Sequence, residues 1–186
     1  FQKQHVITAP SPVPAMKAVK NKTEIAGFKT AMERDGIAMV KFLQWLKPAV
    51  EAGGQTEISL DEKLTALRAE QNLYCGLSFD NIVGYEAPGA IVHYEATPET
   101  DIPIQPKGLV LIDSGAQYLD GTTDITRTIA LGPLTEEQRR VYTLVLKGHI
   151  QLELCKFPAG ASGTQLAALA RQAMWREGLN FMQGTG

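Results

Sequence analysis

The sequence predicts an α+β domain with a largely antiparallel sheet flanked by helices. Two observations carry this. Amphipathic segments with helix-capping residues lie at both ends of the chain, and the strand-like runs are grouped between them instead of alternating with helices, as a βαβ array would require. At 186 residues, 44% apolar and 20% charged with a net charge of -2, the chain can bury the core of one such unit.

The elements follow in order. Prolines 10, 12 and 14 predict that residues 1–20 form an extended connector. Asn21 with Glu24 forms a capping box that opens a long helix. Its apolar positions Ile25, Phe28, Met32, Met39, Phe42 and Leu46 fall near one face, and Pro48 marks the approach of its end. Ser59 with Glu62 predicts the start of a second helix, with Leu60, Leu64 and Leu67 as its stripe. Two strand-like runs, 78–85 and 90–95, joined by Ala87-Pro88-Gly89, predict a hairpin. Residues 109–112 form a further strand and 123–130 alternate between two faces. Thr135 with Gln138, and Ser162 with Gln165, cap two more helices.

Several classes are excluded. No window approaches the roughly 18 uninterrupted apolar residues of a membrane span, and no basic stripe invites nucleic acid. Cys75 and Cys155 match no zinc or disulfide spacing, so both read as free thiols in a reducing compartment, the cytoplasm. A start on Phe1 and a finish on Gln183-Gly184-Thr185-Gly186 read as the ends of a fragment.

The stretch DSGAQYLDGTTDITRT, residues 113–128, carries the chemistry. On an alternating strand Asp124, Thr126 and Thr128 share one face, and a carboxylate there must be solvated, hydrogen-bonded or bound to a cation. A two-residue turn centred on Asp120-Gly121 would set Asp113 opposite Thr128 and Asp124 opposite Gln117. The aspartates would then lie four residues apart along one face, about 13 Å at roughly 3.3 Å per residue, too far to share an ion. A bend near Gly121-Thr122-Thr123 would bring them together. Alternatively, Asp113 makes an Asx-turn with Ser114-Gly115 and Asp124 is a surface strand residue. Two hard oxygen ligands would suit Mn, Mg, Co or Zn.

The stretch LIDSGAQYLDGTTDITRTIALG closely resembles the first metal-binding hairpin of the Xaa-Pro aminopeptidases, in the pita-bread metallopeptidase family. SPVPAMKAVKNKTEIAGFKTAMERDGIAMVKFLQWL, IVHY, LVLKGHI, FPAG and GLNFMQGTG resemble that family's other segments, in the same order and over nearly the whole chain. The resemblance implies a pita-bread catalytic domain from residue 21 to 186, with 1–20 leading in from a preceding N-terminal domain.

It further implies two divalent ions, usually manganese, with cobalt or zinc as alternatives, bridged by water or hydroxide. Asp113 and Asp124 map onto two of the five protein ligands; the histidine and two glutamates would follow Gly186. A bend between the aspartates is thus implied. His93 maps onto the histidine that positions substrate and stabilises the reacting carbonyl; the residues alone give a lone strand histidine sharing a face with Ile91 and Glu95, which is as often structural. Gln183 stands where many members have histidine and is a candidate substrate contact that can hydrogen-bond but not shuttle a proton near neutral pH. His5 and His149 gain no role.

The implied activity is removal of the N-terminal residue from peptides with proline in second position, and the resemblance suggests a homodimer. The alternatives are an Xaa-Pro dipeptidase or a non-catalytic, protein-binding pita-bread domain. With three ligands missing, the 186-residue chain by itself is expected to be inactive, and to show exposed apolar surface, self-association or poor order near Gly186.

Overall fold

The computed structural model describes residues 9–181. Helices α1 (Val13–Ala18), α2 (Lys22–Ala52) and α3 (Glu57–Ala69) precede strands β1 (Tyr74–Leu77) and β2 (Ile82–Tyr85) and a 3-10 turn at Ala87–Ala90. Strands β3 (Leu109–Ser114), β4 (Ala116–Tyr118), β5 (Gly121–Thr122) and β6 (Ile125–Ala130) follow, and then α4 (Glu136–Glu153) and α5 (Gly163–Trp175). The strands form two antiparallel three-stranded sheets, ordered β1-β4-β5 and β2-β3-β6. The expected α+β architecture is therefore present.

Local hydrogen bonds explain the helix starts. At Asn21/Glu24, Thr135/Gln138 and Ser162/Gln165 both halves of the capping box form. The second helix departs from expectation. Its N-cap is Thr56, whose hydroxyl accepts from Ser59 N while Ser59 Oγ accepts from Thr56 N. Starting a turn earlier brings Glu57 inside, where its carboxylate accepts from Tyr85 N and the Tyr94 hydroxyl. The stripe Leu60, Leu64 and Leu67 is buried as expected.

Three further expectations are corrected. The proline-rich lead-in is not wholly extended: Pro12 caps the short α1, and proline fits a first helical turn, where its missing N–H is no loss. The expected strand 78–85 is a strand only at Ile82–Tyr85, which pairs with β3; residues 78–81 are not strand, and the preceding β1, Tyr74–Leu77, pairs with β4. Residues 90–95 form no strand. Their segment turns back, Gly89 lying against Gly84 so closely that a Cβ on Gly84 would meet Gly89 Cα at 2.6 Å. The Tyr94 hydroxyl then ties it to Glu57 at the start of α3, 2.9 Å away, away from a pairing with β2.

The core lies between α2, α3 and the β2-β3-β6 sheet, around Met39, Phe42, Leu46, Leu60, Leu64, Val110 and Ile112. Along α2 the buried stripe is only partly the expected one: Ile25 and Met32 are exposed, while Gly27, Ala31, Asp35 and Ala38 are buried. Small residues are needed there because the β4–β5 turn sits directly on the helix. A Cβ at Gly27 would lie 2.0 Å from Asp120 O. Since a backbone carbonyl cannot step aside like a side-chain tip, Gly27→Ala is expected to cost about 1–3 kcal/mol in urea unfolding.

Helices α4 and α5 pack mainly against each other, with Gly148 allowing contact with the Ala170 carbonyl. Their small cluster, Leu144, Ala173 and Met174 with Leu179 and Phe181, is separate from the main core. Tyr142, Val145, Leu146 and Ile150 of α4 remain exposed. No described helix is long and apolar enough to cross a membrane.

Candidate metal centre

Strand alternation sorts β3 into a core face, Val110, Ile112 and Ser114, and an opposite face carrying Leu109, Leu111 and Asp113. In β6, Ile125 and Ile129 pack against the core. Thr126 and Thr128 pair with Asp113 and Leu111. This is the face division expected for residues 125, 126, 128 and 129; Asp124 lies outside the strand, and Arg127 is exposed.

The register differs from the simple count. The hairpin turn is at Leu119-Asp120, since Tyr118 pairs with Gly121 and Gln117 with Thr122. Asp113 consequently faces Thr126, not Thr128. Asp124, just before β6, is offset from Asp113 by two residues along the ribbon instead of four, the offset of diagonal neighbours, which in a regular ladder lie about 7–8 Å apart between Cα atoms.

The ribbon also bends, but at Gly115 and Thr123-Asp124, where pairing passes from one sheet to the other. Ser78 Oγ donates to Thr123 O at 2.9 Å, and Ala116 N donates to Thr123 Oγ1 at 2.9 Å. A Cβ on Gly115 would lie 2.1 Å from Thr123 O, so only glycine permits this approach. The two aspartates flank the bend.

Asp113 lies in the extended strand, half-buried, and no Asx-turn forms; its Oδ1 is buried with no hydrogen-bond partner among the described residues. A buried acceptor without a donor is costly. A cation would satisfy it, and the exposed Asp124 carboxylate offers a second hard oxygen donor. The donor set therefore fits a divalent metal. Among the described residues no group of three or more His, Cys, Asp or Glu is arranged to hold one, so further ligands would have to come from outside them.

His93 is not gathered with the aspartates. It is exposed in the turn after Ala90, with backbone in the left-handed region (φ 57), a conformation a non-glycine residue holds at a cost. The strand placement expected for it is thus corrected. Gln183 and His5 lie outside the described residues.

The same sheet face continues into a cleft of about 760 Å³ between β3, β6 and α4, lined by Leu109, Thr126, Thr128, Tyr142, Val145 and His149. The sequence reading gave His149 no role. This histidine lies in the cleft with Tyr142, Val145 and Leu146, which share its face of α4 by helical spacing.

Residues 26–186 match the profile of metallopeptidase family M24. The chain belongs to this family. Among curated M24 relatives, proteins named probable Xaa-Pro aminopeptidase P are 46% identical over 178 residues in Sclerotinia sclerotiorum and 43% identical over 185 residues in Trichophyton verrucosum. These matches cover 95% and 98% of this chain but 30% and 26% of the relatives. The chain thus spans less than a third of their length.

Among solved M24 structures, the X-prolyl aminopeptidase of Caenorhabditis elegans, described as a cytosolic enzyme with a di-nuclear active site, superposes with a TM-score of 0.84 at 40% identity, covering 94% of this chain and 29% of that one. The prolidase of Pyrococcus furiosus gives 0.76 at 28% identity, covering 89% of this chain and 46% of that one. The pita-bread fold is shared.

Proposed function

We propose that this M24 chain forms the first part of a dinuclear metal-dependent aminopeptidase that releases the N-terminal residue from peptides with proline in second position. The observation that carries the reading is the two-residue offset of Asp113 and Asp124, with a buried Asp113 oxygen lacking a donor among the described residues, in a chain 43% identical over 185 residues to a relative of that name. The resemblance supports two ions, manganese in preference to cobalt or zinc.

Asp113 and Asp124 would hold the metals through anionic oxygens, the first rigidly from within β3 and the second from the exposed bend. Divalent ions held there would supply a water of lowered pKa and Lewis-acid polarisation of the scissile carbonyl. His93 would stabilise that carbonyl as it becomes tetrahedral, which requires its turn to face the substrate in the full-length protein. Gln183 would donate or accept a hydrogen bond to the peptide. Residues 1–20 would connect to a preceding domain, with 21–186 opening the catalytic unit. A cytoplasmic location accords with the cytosolic relative and with two free thiols, Cys75 and Cys155. A homodimer is carried over from the resemblance.

Two of five ligands should not retain a dinuclear centre. The 186-residue chain with added manganese is therefore expected not to hydrolyse an Xaa-Pro-containing tripeptide, whereas a chain extended to the length of the relatives should do so and lose activity to a chelator. A metal-independent rate in the extended protein would exclude the reading. Preference for a dipeptide over the tripeptide would reassign it to the dipeptidases.

A further inference from the structure

The hairpin that carries the two aspartates closes at a turn its own sequence does not favour. Asp120-Gly121 is the dipeptide that prefers to occupy the two central positions of a type I′ turn, which matches the twist of paired strands. The chain instead turns at Leu119-Asp120, and neither residue has the positive φ that a I′ turn requires at both. Gly121 also has no positive φ; its lack of a side chain serves packing, since a Cβ there would meet the Ala31 Cβ at 2.9 Å.

The favoured turn would slip one strand by two residues. Such a slip leaves every side chain on its original face, so hydrophobic alternation cannot oppose it. It would, however, set Asp113 opposite Thr128 and move Asp124 to the four-residue offset at which the aspartates cannot share a metal cluster. Something outside the hairpin must choose the register.

That choice is made on α2 and α3. Arg34 Nη2 donates to both oxygens of Asp120, at 2.7 and 2.5 Å, and Thr30 Oγ1 donates to Asp120 Oδ2 at 3.1 Å. The Arg34 guanidinium also lies 5.0 Å from the centroid of the Tyr118 ring. The buried Tyr118 hydroxyl donates to Asp35 Oδ1 at 3.1 Å. Arg68 grips the same carboxylate with Nε at 2.8 Å and Nη2 at 2.9 Å, both side chains being fully buried. Burial and the neighbouring Asp35 carboxylate push the Tyr118 hydroxyl well above its ordinary pKa, so it stays a donor. Arg68 Nη1 has no partner among the described residues, so the cluster is not an optimised source of stability. Fixing register is the best-attested use of such buried ionic groups.

We propose that Arg34 and Asp35, through Asp120 and Tyr118, act as a register lock that holds Asp113 and Asp124 at metal-sharing separation. They are positioning residues, and the proposal rests on the reading of the aspartates as metal ligands. A slip at the tip would pass through Ala116 and Thr123 to the ligand pair, because one continuous register runs from Tyr118–Gly121 to Leu109–Ala130.

Cross-strand nuclear Overhauser contacts in the 186-residue chain read the register without any metal. The wild type should show Asp113–Thr126 contacts. Asp120→Asn removes the charge of the clamp and gives positions 120–121 the strongest type I′ dipeptide. Both it and Arg34→Met are expected to transfer a resolvable fraction of the signal to Asp113–Thr128. Leu119→Asn combined with Asp120→Gly puts the favoured dipeptide at the observed turn and should keep Asp113–Thr126 although the clamp is gone, a rescue that a general stabilising role would not give.

Folded Asp120→Asn and Arg34→Met chains that show only Asp113–Thr126 contacts would overturn the proposal. So would slippage in the double variant, which also serves as the deciding measurement should either single variant unfold. The metal reading is separable: in a chain extended to the length of the relatives, Asp124→Asn should lower the bound metal content, and unchanged metal content would count against the ligand assignment while leaving the register result intact.

Discussion

Asp35→Ala is expected to destabilise the fold by about 3–5 kcal/mol, because it leaves the Arg68 guanidinium buried without its counter-charge. Both side chains have no exposed surface, and the paired hydrogen bonds at 2.8 and 2.9 Å are replaced by nothing that water could reach. Tyr118 loses its acceptor in the same variant. Removing both charges together, as Asp35→Leu with Arg68→Met, should recover most of the loss, since what costs most is the orphaned charge and not the missing pair. Urea unfolding of the two variants decides it. A loss below about 1 kcal/mol for Asp35→Ala would mean that the pair is solvated in solution, since that is the range of exposed ion pairs.

Asp124→Asn should separate chemistry from stability. The side chain is exposed, so the fold should be indifferent to the change. In a chain extended to the length of the curated relatives, Xaa-Pro hydrolysis should fall by about 10³-fold or more, equivalent to roughly 4 kcal/mol of transition-state stabilisation, as an anionic ligand becomes a neutral one. The check is kcat/KM alongside metal content and thermal midpoint. Unchanged kcat/KM with full metal content would remove Asp124 from the ligand set.

The parts of the structure that were legible in the sequence are those decided within a few residues. The capping boxes at Asn21, Thr135 and Ser162 are reciprocal bonds across three positions, and each formed as expected. Leu60, Leu64 and Leu67 needed only helical periodicity. The placement of His93 was not local: Tyr94 reaches Glu57, 37 residues earlier, and carries the segment away from the sheet. The hairpin register was illegible for a sharper reason. Two registers satisfy the same alternation, the Asp-Gly dipeptide argues for the wrong one, and the groups that oppose it are on α2, with Arg34 86 residues from Asp120. The identity of the candidate ligands came from resemblance; alternation supplied only the polar face on which they sit.

The separate cluster between α4 and α5 bears on how the molecule comes apart. Leu144, Ala173 and Met174 share no core residue with the sheet, and an apolar-lined cleft divides α4 from β3 and β6. Little buried surface couples the two regions, so the helical pair can open while the α2–α3–sheet core stays closed. Unfolding is then expected in two steps, the helical pair opening at lower urea than the core on which Gly27 and the Asp35–Arg68 pair report.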